Sequence, residues 1–408
     1  MLDELNTISE DTMFAKQEMR KFLLAQPAVL SQPTSIYLLT KRRLEQFAAP
    51  TRDRDSLLAK LSKTILELPP HYLDSGGVQG GADRLLASLL ALDEIALSTA
   101  EQKTRKNVIW IGNGMPILSA SGVSLGDSER FKNWVHYTAN WLEETQTTVY
   151  TIDPRGLEVA EVGLYNDTGR YIIPTPDLPP SELVFESIAP ESGGAIIRGR
   201  NDIDIAIETA VRDGSSYYTL SYYPTDRNWD GNFRRIRINV GRSELLARTQ
   251  RGYYAYADGF QSGGSQIEFG LSRAVTSPLP FRSVGLTATG GRLTAPPTAR
   301  VILAINRDGL SWTAQPNGDQ RAEVTLVTSE ISSSGKVLGY RVREVELILE
   351  KAQLPEAFAS DPVKLSVQMD LPAKTDRIRL VVRDASSGHL GTFDLAAGAL
   401  VTSNMAPR

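Results

Sequence analysis

Asn107-Val108-Ile109-Trp110-Ile111-Gly112 is the stretch on which the fold turns. Four apolar residues run without alternation and a glycine ends them. A strand buried on one face alternates apolar with polar residues. A continuous apolar run of this length marks a strand covered on both faces, as in a parallel sheet. Downstream, Asp127 and Ser128 are expected to cap a helix carrying Trp134, Tyr137 and Trp141 to about Glu144, and Thr147 to Ile152 reads as the next strand. Upstream, Ser35 to Leu39 reads as a buried strand with Leu44 to Ala48 as a short neighbour. Helices are predicted over Glu10–Ala25, from Asp55 through Leu61, Ile65 and Leu68, and over Ala82–Leu97. Further on, a strand at Ala195–Ile197 lies between helices at Ser181–Ile188 and Asp202–Arg212, with a surface loop over Glu158–Pro180 before them. Strands joined by helices of roughly 10–20 residues need right-handed crossovers. The expectation is an α/β fold with a doubly wound, mainly parallel, Rossmann-like sheet covered on both faces.

Three more strands, Ser216–Tyr223, Phe233–Val240 and Leu245–Tyr256, are expected to complete a first domain of residues 1–258. In the second of them Ile236, Ile238 and Val240 alternate with Arg235, Arg237 and Asn239, the period of a half-buried strand. After the Gly/Ser-rich stretch Gly259–Gly264 helical periodicity disappears. Strands then follow at Ser283–Thr289, Arg300–Ile305, Ala322–Ser329, Val337–Leu349, Val363–Met369, Arg377–Asp384 and His389–Leu395, separated by Asn-Gly and Ser-Ser-Gly turns. That spacing predicts an all-β sandwich of the Ig/FnIII type over residues 265–408.

Composition removes several function classes. The 408 residues carry 44 Lys+Arg against 48 Asp+Glu, so no global field favours nucleic acid. No apolar run reaches the length of an integral membrane segment. The absence of cysteine excludes disulfides, thiolate nucleophiles and Cys-type zinc sites, and three scattered histidines argue against triad or histidine-metal chemistry.

A family resemblance rests on the run Ser215-Ser216-Tyr217-Tyr218-Thr219-Leu220-Ser221-Tyr222-Tyr223-Pro224-Thr225, then Asp230-Gly231-Asn232-Phe233-Arg234-Arg235-Ile236, then Arg251-Gly252-Tyr253-Tyr254-Ala255. Asp3-Glu4-Leu5-Asn6-Thr7, Arg105-Lys106-Asn107-Val108-Ile109-Trp110, Thr148–Gly156 and Arg379–Asp384 with Gly388 match in the same order. The chain resembles the VWFA-related proteins abundant in acidobacteria, a divergent branch of von Willebrand factor A-like domains. The resemblance implies a VWA-like fold and an adhesive or scaffolding function, outside the cytoplasm in the full-length protein.

The family's Mg²⁺ site uses an Asp-x-Ser-x-Ser loop, a threonine on a second loop and an aspartate after a central strand, because a hard cation wants about six oxygens. Carried onto this chain, the first loop is Asp3-Glu4-Leu5-Asn6-Thr7, with Leu5 where an oxygen is needed. The second is Gly80-Gly81-Ala82, without a hydroxyl but next to Asp83, and the third presents Asn113. The site reads as degenerate. Asp3, Asn6, Thr7 and Asn113 are expected to satisfy loop backbone groups, and neither a resident metal nor another cofactor is expected.

Other constellations carry less. Gly76-Gly77-Val78-Gln79-Gly80-Gly81 lacks the Lys-Ser/Thr of a phosphate loop. Asp202 is expected to cap its helix, His136 to be a packed or surface residue, and the row Arg234, Arg235, Arg237, Arg248 and Arg251 to be a solvated face. Seven of the 14 tyrosines fall between Tyr217 and Tyr256, a density that makes Tyr222, Tyr223, Trp229, Tyr253 and Tyr254 the candidates for an interaction surface. Only Met1 and Leu2 precede Asp3, where the family places a buried central strand, and no signal peptide pattern is present. That predicts a chain shortened at its start, with an open slot between Ile36–Leu39 and Val108–Ile111. The reading reached from sequence is a non-enzymatic protein-interaction module with a protein partner. A Mg²⁺-dependent adhesion module and a hydrolase using carboxylates at the sheet edge are the alternatives.

Overall fold

The computed structural model describes residues 1–63, 77–113, 125–156, 188–242, 244, 247, 249–255, 264–294, 297–351 and 361–402. Two compact units emerge: Met1–Asp93 with Thr104–Ala255, and Glu94–Lys103 with Tyr256–Arg408.

The first unit is built on a six-stranded sheet. Its elements in chain order are β1 (Leu2–Asp3), α1 (Ser9–Ala25), β2 (Val29–Leu39), β3 (Leu44–Asp53), α2 (Arg54–Lys63), α3 (Gly77–Ser98), β4 (Lys106–Ile111), α4 (Leu125–Glu144), β5 (Thr147–Ile152), α5 (Ile188–Glu191), β6 (Ile196–Ile197) and α6 (Ile203–Ser215). The strand order is β3-β2-β1-β4-β5-β6, parallel throughout except for antiparallel β2–β3. This order reverses direction at β1, the doubly wound arrangement in which loops at the carboxyl ends of the central strands border a crevice.

The run that opened the sequence reading is β4, and it sits next to the centre. Ile111 joins Leu2, Leu38, Ile152 and Ile207 in a core closed by α1 and α6, with Ile109 packed against it, while Trp110 is 1% exposed and points to the opposite face. A second cluster, Leu23, Leu30, Ile36, Ala48, Leu57 and Leu61, seals α1 and α2 over β2 and β3. Each fully buried Leu or Ile is worth about 1.5–3 kcal/mol. These clusters therefore stabilise the sheet more than any loop contact does.

Several expectations are corrected. The central slot is filled at its carboxyl end only: Leu2 pairs with both Leu38 and Ile111, Asp3 pairs with Leu39, and the Met1 amine donates to the Ile109 carbonyl at 2.7 Å, while β1 does not reach Ile36, Tyr37 or Val108. Two residues supply the central strand. Ser216–Tyr223 forms no strand and lies outside the sheet, because its side chains find no surface to pack on: Tyr218 and Tyr223 are 95% and 94% exposed. Phe233–Val240 shortens to β7 (Phe233–Arg235), which pairs only with β8 (Gly252–Tyr254) in a two-stranded ribbon. Asp202 occupies the N-cap position of α6 but makes no cap hydrogen bond, since Arg200 takes both its oxygens at 2.8 and 2.6 Å. The loop Glu158–Pro180, most of the helix expected at Ser181–Ile188, the positions Ile65 and Leu68, and part of Leu245–Tyr256 lie outside the described residues.

The second unit holds one helix that the sequence reading missed, α7 (Gly264–Thr276). Strands β9 (Leu286–Thr294), β10 (Pro297–Ile305), β11 (Thr313–Ala314), β12 (Gln320–Ile331), β13 (Val337–Leu349), β14 (Val363–Asp370), β15 (Arg377–Asp384), β16 (Leu390–Ala396) and β17 (Val401–Thr402) follow. They form a sheet β14-β10-β9-β17 and a sheet β11-β12-β15-β16 with β13 paired to β12, antiparallel except for β17. Val301, Leu303 and Val367 from the first sheet and Val324, Leu326, Leu380 and Val382 from the second meet in one core. Arg379, 2% exposed, ties α7 down: its guanidinium forks onto Asp394 at 2.7 and 2.6 Å and donates to the carbonyls of Ala274, Val275 and Ser277 at the helix end. Those carbonyls have no partner within the helix, and a cation there complements the helix dipole.

Candidate functional site

The loop after β1 folds back on its own aspartate. Asp3 Oδ1 accepts the backbone N–H groups of Leu5 and Asn6 at 3.0 and 2.9 Å, an Asx turn built from the first residue of the loop. Asp3 Oδ2 accepts Asn6 Nδ2 and the indole Nε1 of Trp110, both at 2.9 Å. Asn6 Nδ2 also donates to Ser88 Oγ on α3 at 2.9 Å, and Thr7 Oγ1 accepts the Asn113 N–H at 3.1 Å. Gly112 lets the second loop come this close, since a Cβ there would stand 2.6 Å from Asp3 Cβ and 2.7 Å from Thr7 Oγ1. Asp3 is wholly buried. Burial pushes its carboxyl up to about 6, against the pull of the hydrogen bonds from Asn6, Trp110 and Leu5.

Asp3, Asn6, Thr7 and Asn113 thus come together at the carboxyl ends of β1 and β4, joined by hydrogen bonds. Both Asp3 oxygens already receive two donors each. Asn6 turns its amide N–H₂ toward Asp3, while its Oδ1, like Asn113 Oδ1, is buried without a hydrogen-bond partner among the described residues. Ala82 contributes no side-chain oxygen, Asn113 no charge, and Asp83 is exposed on α3. Among the described residues no group of three or more His, Asp or Glu is placed to hold a metal. Trp110 and Ser88, the two side chains that close the cluster, escaped the sequence reading. Trp110 read only as an apolar strand residue, and nothing in the spacing of α3 singled out Ser88.

The tyrosine-rich segment divides into two parts. Tyr218, Leu220, Tyr222, Tyr223 and Trp229 are exposed. Its start is held at Tyr217, whose hydroxyl accepts the Arg105 N–H at 3.2 Å and whose ring lies under the Arg105 guanidinium at 5.9 Å. Tyr253 and Tyr254, on β8, are half-buried instead: Tyr254 stacks on His136 of α4 with centroids 3.8 Å apart and meets Phe233 at 5.1 Å. Arg234 is not part of a free basic row. Its guanidinium folds into the preceding loop, onto Asp226 at 3.2 Å and Asp230 at 3.0 Å. The Asp230 carboxyl is held down at about 2, first by hydrogen bonds from Asn232 and then by Arg234.

Between α4, α5 and the β7–β8 ribbon lies a small pocket containing Glu143, Glu191, Asn140, Gln250, Phe233 and Tyr253. Glu143 Oε1 accepts Gln250 Nε2 at 3.0 Å, and burial raises the Glu143 carboxyl to about 7, with the charge of Glu144 adding to the shift. Tyr222, hydrogen-bonded to Tyr253, is pushed up to about 12, first by burial. This pocket sits at the amino end of β5, away from the Asp3 cluster.

No known protein-family model matches the chain, and no curated protein matches it. Among the described residues no helix is long and apolar enough to cross a membrane.

Proposed function

We propose that this chain is a non-enzymatic, metal-independent protein-interaction module: a divergent VWA-like α/β unit followed by a β-sandwich, working outside the cytoplasm as its resemblance implies. The observation that carries this reading is the exposed aromatic segment. Tyr218 at 95%, Leu220 at 70%, Tyr223 at 94% and Trp229 at 48% exposure lie within a dozen residues, anchored at one end by Arg105. Clustered exposed aromatic residues mark contact surfaces, because tyrosine and tryptophan dominate binding energy where they become buried. The strand order β3-β2-β1-β4-β5-β6 supports the VWA-like reading, since it sets the Asp3 and Asn113 loops side by side at the switch point. The Asp3 cluster supports metal independence, because four protein donors fill the positions that a cation and its waters need. Acid–base work by paired carboxylates requires each to feel the other. The charge that adds to the burial of Glu143 is that of Glu144 on its own helix.

The test is a photo-crosslinking comparison of the full chain with a Tyr218→Ser/Tyr223→Ser double variant, against extract and surface fractions of the source cells. A specific adduct lost in the double variant, with far-UV dichroism and melting temperature unchanged, is the expected result. Equal crosslinking by both proteins rejects the aromatic segment as the contact surface.

A further inference from the structure

The pocket under the β7–β8 ribbon has a chemistry of its own. Glu143 uses one oxygen for Gln250, and its other oxygen accepts no hydrogen bond among the described residues. The amide side chains of Gln250 and Asn140 also line the pocket. A carboxylate and two amide side chains therefore border one small space, walled by the aromatic residues Phe233, Tyr253 and Tyr254. Such acceptors, beside aromatic faces, suit a group that donates three hydrogen bonds and carries a positive charge. The space has room for one water-sized group. An ammonium has that size; a guanidinium or a quaternary ammonium does not.

We propose that this pocket receives the ε-ammonium of a lysine presented by a partner protein, with Glu143 as its counter-charge. The proposal rests on the interaction-module reading for the source of the lysine, but not for the chemistry of the site. The ribbon is fixed for this role: Tyr254 is stacked on His136, and Gly252 lets β8 pass so near β7 that a Cβ would stand 2.1 Å from the Arg234 carbonyl oxygen. The groups around Glu143 are Glu144 on α4, Glu191 on α5, and Tyr222 and Tyr253 across the pocket. Arg234 on β7 is committed to Asp226 and Asp230, and Arg251, between the lining residues Gln250 and Gly252, is exposed. The surroundings are acidic, and an incoming ammonium meets no like charge from the lining groups. Glu143 is raised to about 7 while the pocket is empty, so a bound cation draws it into the ionised form and releases a proton.

The experiment titrates the full chain with Nα-acetyl-lysine N-methylamide, its arginine counterpart and tetramethylammonium, followed by NMR shifts and calorimetry. The lysine probe is expected to bind at least about tenfold more tightly than the other two, as the size and charge of the space require. Its affinity is expected to rise about tenfold from pH 6 to pH 8, following ionisation of a group near 7. Glu143→Gln should remove that pH dependence and weaken binding about tenfold. Glutamine resembles the protonated carboxyl that the fold already accommodates at neutral pH, so folding of the variant is expected to be intact. Equal binding of the three probes by the unaltered protein, or lysine affinity indifferent to pH and to Glu143→Gln, overturns the proposal. The two readings fail separately. A lysine probe that binds while Tyr218→Ser/Tyr223→Ser leaves crosslinking unchanged keeps the pocket and rejects the aromatic contact surface. Loss of crosslinking with no selective lysine binding does the reverse.

Discussion

Replacing Asp3 by alanine removes the one acceptor pair on which two loops close. Three donors lose their partner together, the N–H groups of Leu5 and Asn6 and the Trp110 indole, and the Asn6 amide is left with Ser88 Oγ alone. A buried donor left without an acceptor costs about 1–3 kcal/mol, so three near the middle of that range and a smaller share for the amide amount to roughly 7 kcal/mol. Against this stands relief from burying a carboxylate whose pKa is moved from 3.8 to about 6. At pH 8 that relief is about 3 kcal/mol. Water entering the space left by the carboxyl satisfies some donors, which brings the net loss to about 3 kcal/mol, a large share of an ordinary folding stability of about 5–15 kcal/mol. The assay is urea unfolding at pH 8 in EDTA, read by the fluorescence of Trp110 and its neighbours. Asp3→Asn, which keeps an acceptor for the two backbone donors, should recover about half the loss. An aspartate whose purpose is to hold a cation predicts the opposite, because removing a buried charge that lacks its metal stabilises the fold. A loss below about 1 kcal/mol in EDTA, or a gain, refutes the closed-cluster reasoning.

Two further outcomes follow from named contacts. Arg379→Met leaves three helix-end carbonyls without their donor, while the part-exposed Asp394 keeps Arg377 at 3.7 Å, and should destabilise the second unit by about 2–3 kcal/mol, with hydrogen exchange accelerating first over Gly264–Thr276; unchanged protection there would contradict the tether. Glu143 has a folded pKa near 7 against 4.5 unfolded, so its contribution is complete below pH 4.5 and is lost as pH rises through 7; the difference in stability between the unaltered protein and Glu143→Gln should shift by about 3 kcal/mol between pH 4.5 and 8, and a flat difference would show that the carboxyl is not buried.

Most of the framework was legible because it depends on periodicity. The unbroken apolar run of β4 predicted a central, fully covered strand, and short strand-like runs spaced by Asn-Gly and Ser-Ser-Gly turns predicted the β-rich second unit. The failures have physical causes. Ser216–Tyr223 is rich in residues that favour strands, but that preference measures fit to a half-buried pleated surface, and here both faces meet solvent. The helix α7 was missed because Gly270 and the preceding Gly/Ser run masked its pattern. Its apolar positions Ile267, Leu271, Ala274 and Val275 nevertheless follow i, i+4, i+7, i+8, and the last three are buried. The two-residue β1 has no periodicity to read, and only its pairing with Leu38 and Ile111 reveals it. At the Asp3 cluster, the loss of ligand oxygens at Leu5 and Ala82 was visible in the residues. The Trp110 donor and the Ser88 acceptor were not, since they depend on a strand and a helix brought together from about a hundred positions away.

The central claim, a closed cluster in place of a cation site, is tested most directly by calorimetric titration of Mg²⁺ and Mn²⁺ into metal-stripped protein, with melting temperature followed in parallel. A ligand that binds the native state must raise its stability. The cluster around Asp3 predicts no heat beyond dilution and a melting temperature unchanged up to millimolar metal. Saturable binding in that range, accompanied by stabilisation and abolished in Asp3→Asn, would contradict it.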